Sequence, residues 1–264
     1  MGIEINLDGL IWNYIDINKE GVNRGEKIYI MDTLVTQAHY TYVKNINPSF
    51  FVNADNPVEN VSWYDAMLYA YELKQKYIKT GAVRGLVDLR LPTESEWEYA
   101  YCCGGEDEWE NEASTETANF DGEYYLEFDP GAESKGSMMN RTTPVKTYRP
   151  NKLGIYDLRG NVWDMCLDAY FKNSKEMDGT GALVASKIIN KKFKEDLICQ
   201  EQAYRKVYGD MHFLEMYENK VKKGGGYESP WDLCACNSRE RILPNVRQNY
   251  MGFRLVMVTN TGDD

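Results

Sequence analysis

Hydrophobic residues follow a helical spacing most clearly between residues 62 and 77. Apolar side chains recur there at intervals of three and four positions, which is typical of an amphipathic helix that buries one face. Ser62 is a natural N-cap, and Asp65 stands three residues later, where a carboxylate can complete a capping box. Gly81 follows the last apolar position. The pattern therefore predicts a helix from Ser62 to about Tyr77.

Two shorter helices and three short strands are also predicted. One helix begins after Thr93, whose hydroxyl can cap it while Glu96 completes a capping box, and Gly104 ends it. Another short helix is expected over residues 36–43, before Asn47-Pro48-Ser49 breaks it. The segments predicted as strands are 27–31, 33–35 and 144–148.

Three stretches lack a regular apolar pattern. Residues 106–142 are acidic and contain Gly and Ser, which predicts a solvated surface loop. Residues 171–220 are highly charged with some helical spacing, which predicts an inserted helical flap. Residues 223–254 run from three consecutive glycines to Gly-Phe-Arg, and they predict a long loop held at both ends. Such loops on a rigid scaffold commonly carry function.

Composition places these elements in one loop-rich α+β domain that spans residues 1–264. The chain has 264 residues, of which 43% are hydrophobic and 13% aromatic, and it contains 21 glycines. A chain of this size buries a substantial core, while frequent glycines favour short elements over long helices. We therefore expect few helices and short antiparallel strands.

Charge and hydropathy exclude two classes of partner. The formal net charge of −11 opposes binding to phosphate backbones, so no nucleic acid is expected as a partner. No run of about 18 apolar residues exists, so we expect no membrane insertion. The N-terminal residues carry acids and lack the pattern of a signal peptide, which favours a cytoplasmic location.

The six cysteines show no metal-binding spacing. They have neither CxxC pairs nor clusters of histidine beside them, and the chain has only two histidines. A zinc site is therefore not expected, and the thiols are predicted to stay reduced in a reducing compartment. The cysteines are residues 102, 103, 166, 199, 234 and 236.

Four motifs in a fixed order resemble the signatures of the formylglycine-generating enzyme family. The resemblance extends over about residues 27–258 and implies a C-type-lectin-like α+β fold, with a ligand-binding or catalytic surface built from the C-terminal loop. The four motifs are residues 56–66, 90–100, 154–164 and 252–254.

Several residues within these motifs have a structural interpretation. Large aromatic side chains supply the buried area that a loop-rich domain needs. An arginine after Gly252-Phe253 can hold loop carbonyls or a carboxylate inside the domain, and we predict this role for Arg254. The tryptophans predicted to be buried are Trp63, Trp97 and Trp163.

The resemblance implies a copper-dependent oxidation, from which this chain departs. Enzymes of the family oxidise a peptide cysteine with oxygen and copper(I), using two cysteines five positions apart soon after a Gly-Gly pair. Counted from Gly224-Gly225, those positions are Ser229 and Cys234. Because copper(I) prefers thiolates, copper is not an expected cofactor and no catalytic residue is assigned. The alternative is an oxidoreductase of this type that acts on peptide cysteine through Cys234 and Cys236.

The resemblance also implies structural calcium bound by oxygens of the third motif. Asp157, Asn161 and Asp164 fall on matching positions, and Arg159 would contribute a carbonyl oxygen. Calcium takes six to eight oxygen ligands, so these residues with water could suffice. Asp164 stands where the family usually has Glu. The alternative is that Asp157 and Asn161 serve only to cap and form turns.

The C-terminal loop resembles that of variable proteins of diversity-generating retroelements, which display a ligand-binding surface on this fold. A loop pattern found in many family members aligns without a gap from Gly224 to Arg254. Most departures from it are changes that adenine-directed mutagenesis of Asn codons produces, although Glu228 and Trp231 would require other codons. An ordinary diverged homologue predicts a similar loop.

These observations predict a non-catalytic ligand-binding protein of bacterial or phage origin, located in the cytoplasm or on a phage particle. Its partner would be a protein or another surface ligand, bound by the 226–243 loop through the aromatic and polar side chains typical of recognition surfaces. The alternatives are inward packing of Trp231 and Leu233, and a structural role in a larger assembly. The predicted binding residues are Tyr227, Glu228, Ser229, Trp231, Asp232, Leu233, Ala235, Cys236, Ser238, Glu240, Ile242 and Leu243.

Overall fold

The computed structural model describes residues 4–17, 25–105, 114–124, 135–170 and 219–260. In these ranges the chain has an α+β fold with two sheets, three α-helices and long connecting loops, which confirms the predicted fold class. The helical flap predicted for residues 171–220 lies outside the described residues, apart from its last two positions.

The larger sheet is antiparallel throughout. Its strands in spatial order are β1 (Glu4–Leu7), β2 (Leu10–Ile15), β3 (Glu26–Met31), β9 (Val256–Asn260) and β4 (Leu86–Arg90). The C-terminal strand β9 lies between β3 and β4, and its first four residues are buried. The sheet therefore ties the N-terminal hairpin to the residues that follow the Gly-Phe-Arg motif.

The smaller sheet holds both ends of the 223–254 stretch, which we call the candidate loop. Its strands in spatial order are β7 (Glu240–Ile242), β6 (Lys220–Lys223), β5 (Trp163–Ala169) and β8 (Met251–Gly252). The chain crosses from β7 to the opposite edge of the sheet, so β8 runs parallel to β5, which is an exception to the predicted antiparallel strands.

Three helices pack beside these sheets, and the two that were predicted from a capping box begin at the predicted caps. They are α1 (Gln37–Lys44), α2 (Trp63–Thr80) and α3 (Glu94–Tyr101). Both capping boxes form, because Ser62 pairs with Asp65 and Thr93 pairs with Glu96 in reciprocal hydrogen bonds. None of these helices combines the length and the apolar character that crossing a bilayer requires.

The main hydrophobic core joins α2 to both sheets. It contains apolar residues of β2, β3, β5, β9 and α2 in one cluster. A second cluster lies between α3 and the opposite faces of the strands, around Trp97. Trp63, Trp97 and Trp163 are each at most 2% exposed, which confirms their predicted burial.

Some predicted elements are wrong because tertiary contacts take over the backbone groups. Residues 33–35 are not a strand, since Val35 donates its N–H to the carbonyl of Phe253 and accepts one from Val58, outside any ladder. Residues 144–148 form turns. The described part of the predicted solvated loop 106–142 is also not wholly exposed, because Phe120 is fully buried.

Candidate functional site

The 226–243 loop begins after two glycines whose surroundings exclude larger residues. Gly224 and Gly225 have φ of 84° and 71°. A Cβ atom on Gly225 would lie 2.5 Å from the sulfur of Cys234, and one on Gly224 would lie 2.7 Å from the carbonyl oxygen of Leu158. The glycines therefore let the start of the loop pass close to the scaffold and to its own buried thiol.

The 226–243 loop lies within the 223–254 stretch, and the C-terminal end of that stretch is fixed by Arg254, as predicted. Its Nε donates to Oδ2 of Asp164, and its backbone N–H donates to Oδ1 of the same carboxylate at 2.9 Å. The guanidinium also donates to the carbonyls of Tyr156 and Asp157, at 3.1 and 3.0 Å. Trp97 adds a donor, with its indole Nε1 2.9 Å from Asp164 Oδ2. Arg254 is therefore a buried anchor with an opposite charge and two carbonyls as partners.

Ser229, where the enzymes have the first cysteine, has a structural role in this chain. It is 3% exposed, and its hydroxyl oxygen accepts a hydrogen bond from the N–H of Gly226 at 2.9 Å. The Ser229 N–H donates back to the Gly226 carbonyl, and the Ser229 carbonyl accepts the N–H of Asp121. These bonds close a tight turn. The hydroxyl therefore stabilises the loop from inside.

Cys234 ends a short 3-10 helix, Trp231–Cys234, and its thiol is sealed in the interior. Its sulfur lies 3.7 Å from the carbonyl oxygen of Pro230. Burial raises the pKa of the Cys234 thiol to about 12, since a thiolate without solvent is unfavourable. The neighbouring Cys236 does not pair with Cys234, because its sulfur contacts Cys102 at 2.7 Å.

The structure divides the predicted binding residues between the interior and the surface. Tyr227, Ser229 and Ile242 are buried, so their side chains do not face solvent, and for Tyr227 this corrects the predicted solvent-facing position. The ring of Tyr227 packs edge-on against Phe51, with centroids 5.5 Å apart, and Ile242 joins the main core. The positions that remain at least partly exposed are Glu228, Trp231, Asp232, Leu233, Ala235, Cys236, Ser238, Glu240 and Leu243.

Trp231 and Leu233 combine the two alternatives left open by the sequence. The ring of Trp231 packs against Phe120 in a small apolar cluster, with the two ring centroids 5.1 Å apart. The guanidinium of Arg159 lies 4.8 Å from the centroid of the Trp231 ring. Leu233 packs against the main core. Both side chains stay partly exposed. Each is therefore held in one position while it presents part of its apolar surface.

The residues predicted to bind calcium have their side chains committed to the protein. Both oxygens of Asp164 accept hydrogen bonds from Arg254, and the amide of Asn161 bonds the backbone of Thr143 in both directions. Asp157 accepts the N–H of Lys146 at 3.0 Å, and burial raises its pKa to about 6. The set as arranged does not fit calcium, which needs several free oxygens. Calcium binding stays a prediction of the sequence, and these side-chain contacts do not support it.

Comparison with known proteins agrees with this geometry. The model of the sulfatase-modifying factor enzyme 1-like domain matches residues 17–259. The chain belongs to that family.

Two formylglycine-generating enzymes and one solved structure resemble this chain. The formylglycine-generating enzyme of Streptomyces coelicolor is 31% identical over 159 residues, 56% of this chain and 46% of that protein. That of Bos taurus is 26% identical over 227 residues, 83% of this chain and 49% of that protein. The chain thus spans about half the length of these enzymes. Treponema denticola variable protein 1 has the same fold, with a TM-score of 0.62 at 22% identity over 96% of this chain and 98% of that one.

A second apolar segment, residues 50–52, lies beside the 226–243 loop. Phe50 and Val52 are 70% and 77% exposed, and Phe51 between them contacts the buried ring of Tyr227. Glu228 follows Tyr227 in the chain, and burial raises the pKa of the Glu228 carboxyl to about 7. Sequence reasoning missed the Phe50-Phe51-Val52 segment, although three consecutive apolar residues outside any periodic element are a usable signal.

Replacing Arg254 tests the anchor. We expect Arg254→Met to lower the free energy of unfolding by about 3–5 kcal/mol, because the Asp164 carboxylate would stay buried without its opposite charge. Arg247→Met is the matched control, since it removes a bidentate contact to Asp65 from a side chain that is 51% exposed. That change should cost at most about 1 kcal/mol. Urea denaturation measures both losses, and equal losses would contradict the anchor.

Proposed function

We propose that this family member is a non-catalytic ligand-binding protein whose recognition surface is the outward side of the 226–243 loop. The chemistry at the two positions of the copper-binding cysteines carries the proposal. Ser229 has no thiol and holds a turn, and burial raises the pKa of the Cys234 thiol to about 12. Copper(I) binding favours paired thiolates. This arrangement supports binding over oxidation.

The outward side of the loop supports recognition by its composition. Asp232 and Arg241 are exposed and charged, Leu243 is 45% exposed, and Trp231 presents part of its ring. Aromatic and aliphatic contact area beside charged groups is typical of protein recognition surfaces. Because both ends of the loop are anchored, a ligand would meet a surface whose conformational entropy is already reduced, which favours affinity. We propose a protein or another surface ligand as the partner.

The same arrangement supports diversification of the outward positions. Buried residues such as Tyr227 and Ile242 hold the frame, while exposed ones such as Asp232 and Leu243 can change without loss of core packing. We propose that the loop was diversified by a retroelement.

The gene locus tests that finer statement. A reverse transcriptase gene and a near-copy of the codons for residues 226–249 should lie beside the coding sequence. Differences between the copy and the gene should fall on codons of outward residues and trace back to adenines. A locus without either element would overturn the diversified version and leave the ligand-binding proposal standing.

A peptide assay tests the oxidoreductase alternative, which the similarity to formylglycine-generating enzymes favours. We expect no aldehyde when the protein is incubated with copper(I), oxygen and a Cys-x-Pro-x-Arg peptide, because Ser229 supplies no thiolate. Mass spectrometry of the peptide measures the product, and a formylglycine-generating enzyme is the positive control. Aldehyde formation that Cys234→Ser abolishes would overturn the proposal.

A selection from a random-peptide display library tests the recognition surface. For peptides selected on the unmodified protein, we expect Leu243→Ala and Asp232→Ala to weaken binding about tenfold or more, as centrally placed contacts do. Ile78→Ala is the matched control, since Ile78 is an aliphatic residue of α2 that is 55% exposed outside the loop. Dissociation constants from biolayer interferometry decide. Equal effects at positions 78 and 243 would contradict the assignment of the surface.

A further inference from the structure

Two half-buried cysteines face each other, one at the end of α3 and one inside the 226–243 loop. The sulfur atoms of Cys102 and Cys236 are 2.7 Å apart, although 134 positions separate the residues in sequence. A disulfide bond needs about 2.05 Å between the sulfurs. Cys102 follows the last residue of α3, and Cys236 follows the 3-10 helix of the candidate loop. Bond formation would therefore link the scaffold to the loop.

Hydrogen bonds already hold the two backbones in this arrangement. The hydroxyl of Tyr101, the residue before Cys102, donates to the carbonyl of Cys234, two positions before Cys236, at 3.1 Å. The ammonium of Lys223, which is fully buried, donates to the carbonyl of Cys236 at 2.8 Å and to Oε1 of Glu98 at 2.9 Å. α3 and the loop are therefore tied on both sides of the thiols. Closing the bond shortens the distance between the two sulfurs from 2.7 Å to about 2.05 Å.

The surroundings select this pair among the cysteines of the region. The sulfur of Cys234 is fully buried and contacts the carbonyl oxygen of Pro230 at 3.7 Å, so a small oxidant does not reach it. Cys103 has a positive φ of 53°, which turns its backbone away from the regular course of α3. Cys102 and Cys236 both pack at the edge of the second core cluster and stay partly exposed. A small oxidant can therefore reach them.

We propose that Cys102 and Cys236 form a reversible disulfide by exchange with a low-molecular-weight disulfide such as oxidised glutathione. One thiolate attacks the small disulfide and releases a first glutathione thiolate. The other thiolate then attacks the mixed disulfide and releases the second. Two protein thiols are oxidised to one disulfide, and one oxidised glutathione is reduced to two thiols. The protons of the protein thiols are taken up by the released thiolates or by solvent.

The bond would fasten the middle of the 226–243 loop to α3, in addition to its two anchored ends. The loop would then have fewer conformations in the unfolded and the partly opened chain, which is how cross-links over long segments stabilise proteins. Redox state would thus set how firmly the candidate recognition surface is held. The inference concerns the cross-link itself and holds whether or not the loop binds a ligand.

Peptide mapping of the full chain tests the proposal directly. The reduced protein is treated with oxidised glutathione, its remaining thiols are blocked with iodoacetamide, and it is digested with trypsin. We expect a cross-linked pair of peptides that contain Cys102 and Cys236, lighter by two hydrogen atoms than the reduced pair and split by dithiothreitol. Because each peptide holds a second cysteine, fragment ions that separate Cys102 from Cys103 and Cys234 from Cys236 assign the bond. This result depends on no variant.

Variants provide the second measurement. Oxidation should raise the melting temperature of the unmodified protein by roughly 5–10 °C. Cys236→Ser should lose both the cross-link and this rise, whereas the control Cys103→Ser should keep both. A bond that maps to Cys103 or Cys234, a glutathione adduct that is never resolved, or complete alkylation of Cys236 after oxidation would each overturn the proposal. Binding assays on the loop do not enter this test, so the two proposals can fail separately.

Discussion

The buried carboxylate of Asp164 is the contact on which the rest of this structure depends. It lies in β5 and accepts hydrogen bonds from the backbone and side chain of Arg254 and from the indole of Trp97 in α3. A carboxylate moved out of water loses far more free energy than an unpaired neutral group. An opposite charge and three donors offset that loss here. One side chain thereby connects the smaller sheet, α3 and the C-terminal end of the candidate loop.

That connection explains why the loop can be irregular without being loose. Gly224 and Gly225 press its start against the scaffold, and Arg254 fixes its end through two backbone carbonyls as well as Asp164. Between these ends, inward residues determine the path of the chain and outward residues determine its chemistry. Ser229 illustrates the division, since its hydroxyl stabilises a turn at a position where a thiol would support copper chemistry. Ser229 is therefore one of the inward residues that hold the frame.

Local signals in the sequence were enough for the helices, because a capping box needs only residues three positions apart. The buried tryptophans and Arg254 were also predicted from the sequence. The family resemblance identified their motifs, and elementary electrostatics predicted the role of Arg254. Strands were predicted less well. Strand β5 needs a partner that is distant in sequence, since Asp164 pairs with Lys223, and residues 33–35 are not a strand because Val35 bonds Phe253 and Val58 instead. Pairing over such distances has no short-range signature.

The sequence by itself determined the fold class, the family framework and the absence of a cysteine at position 229, because each depends on residue identity at known spacing. Only the tertiary structure decided which loop residues face solvent. Tyr227 and Ile242 are buried by Phe51 and the main core, which are remote in sequence, whereas Leu243 one position on is exposed. The structure alone also brought Cys102 to Cys236. Contacts of this kind arise from the closing of the core around Asp164, and no local pattern of side chains specifies them.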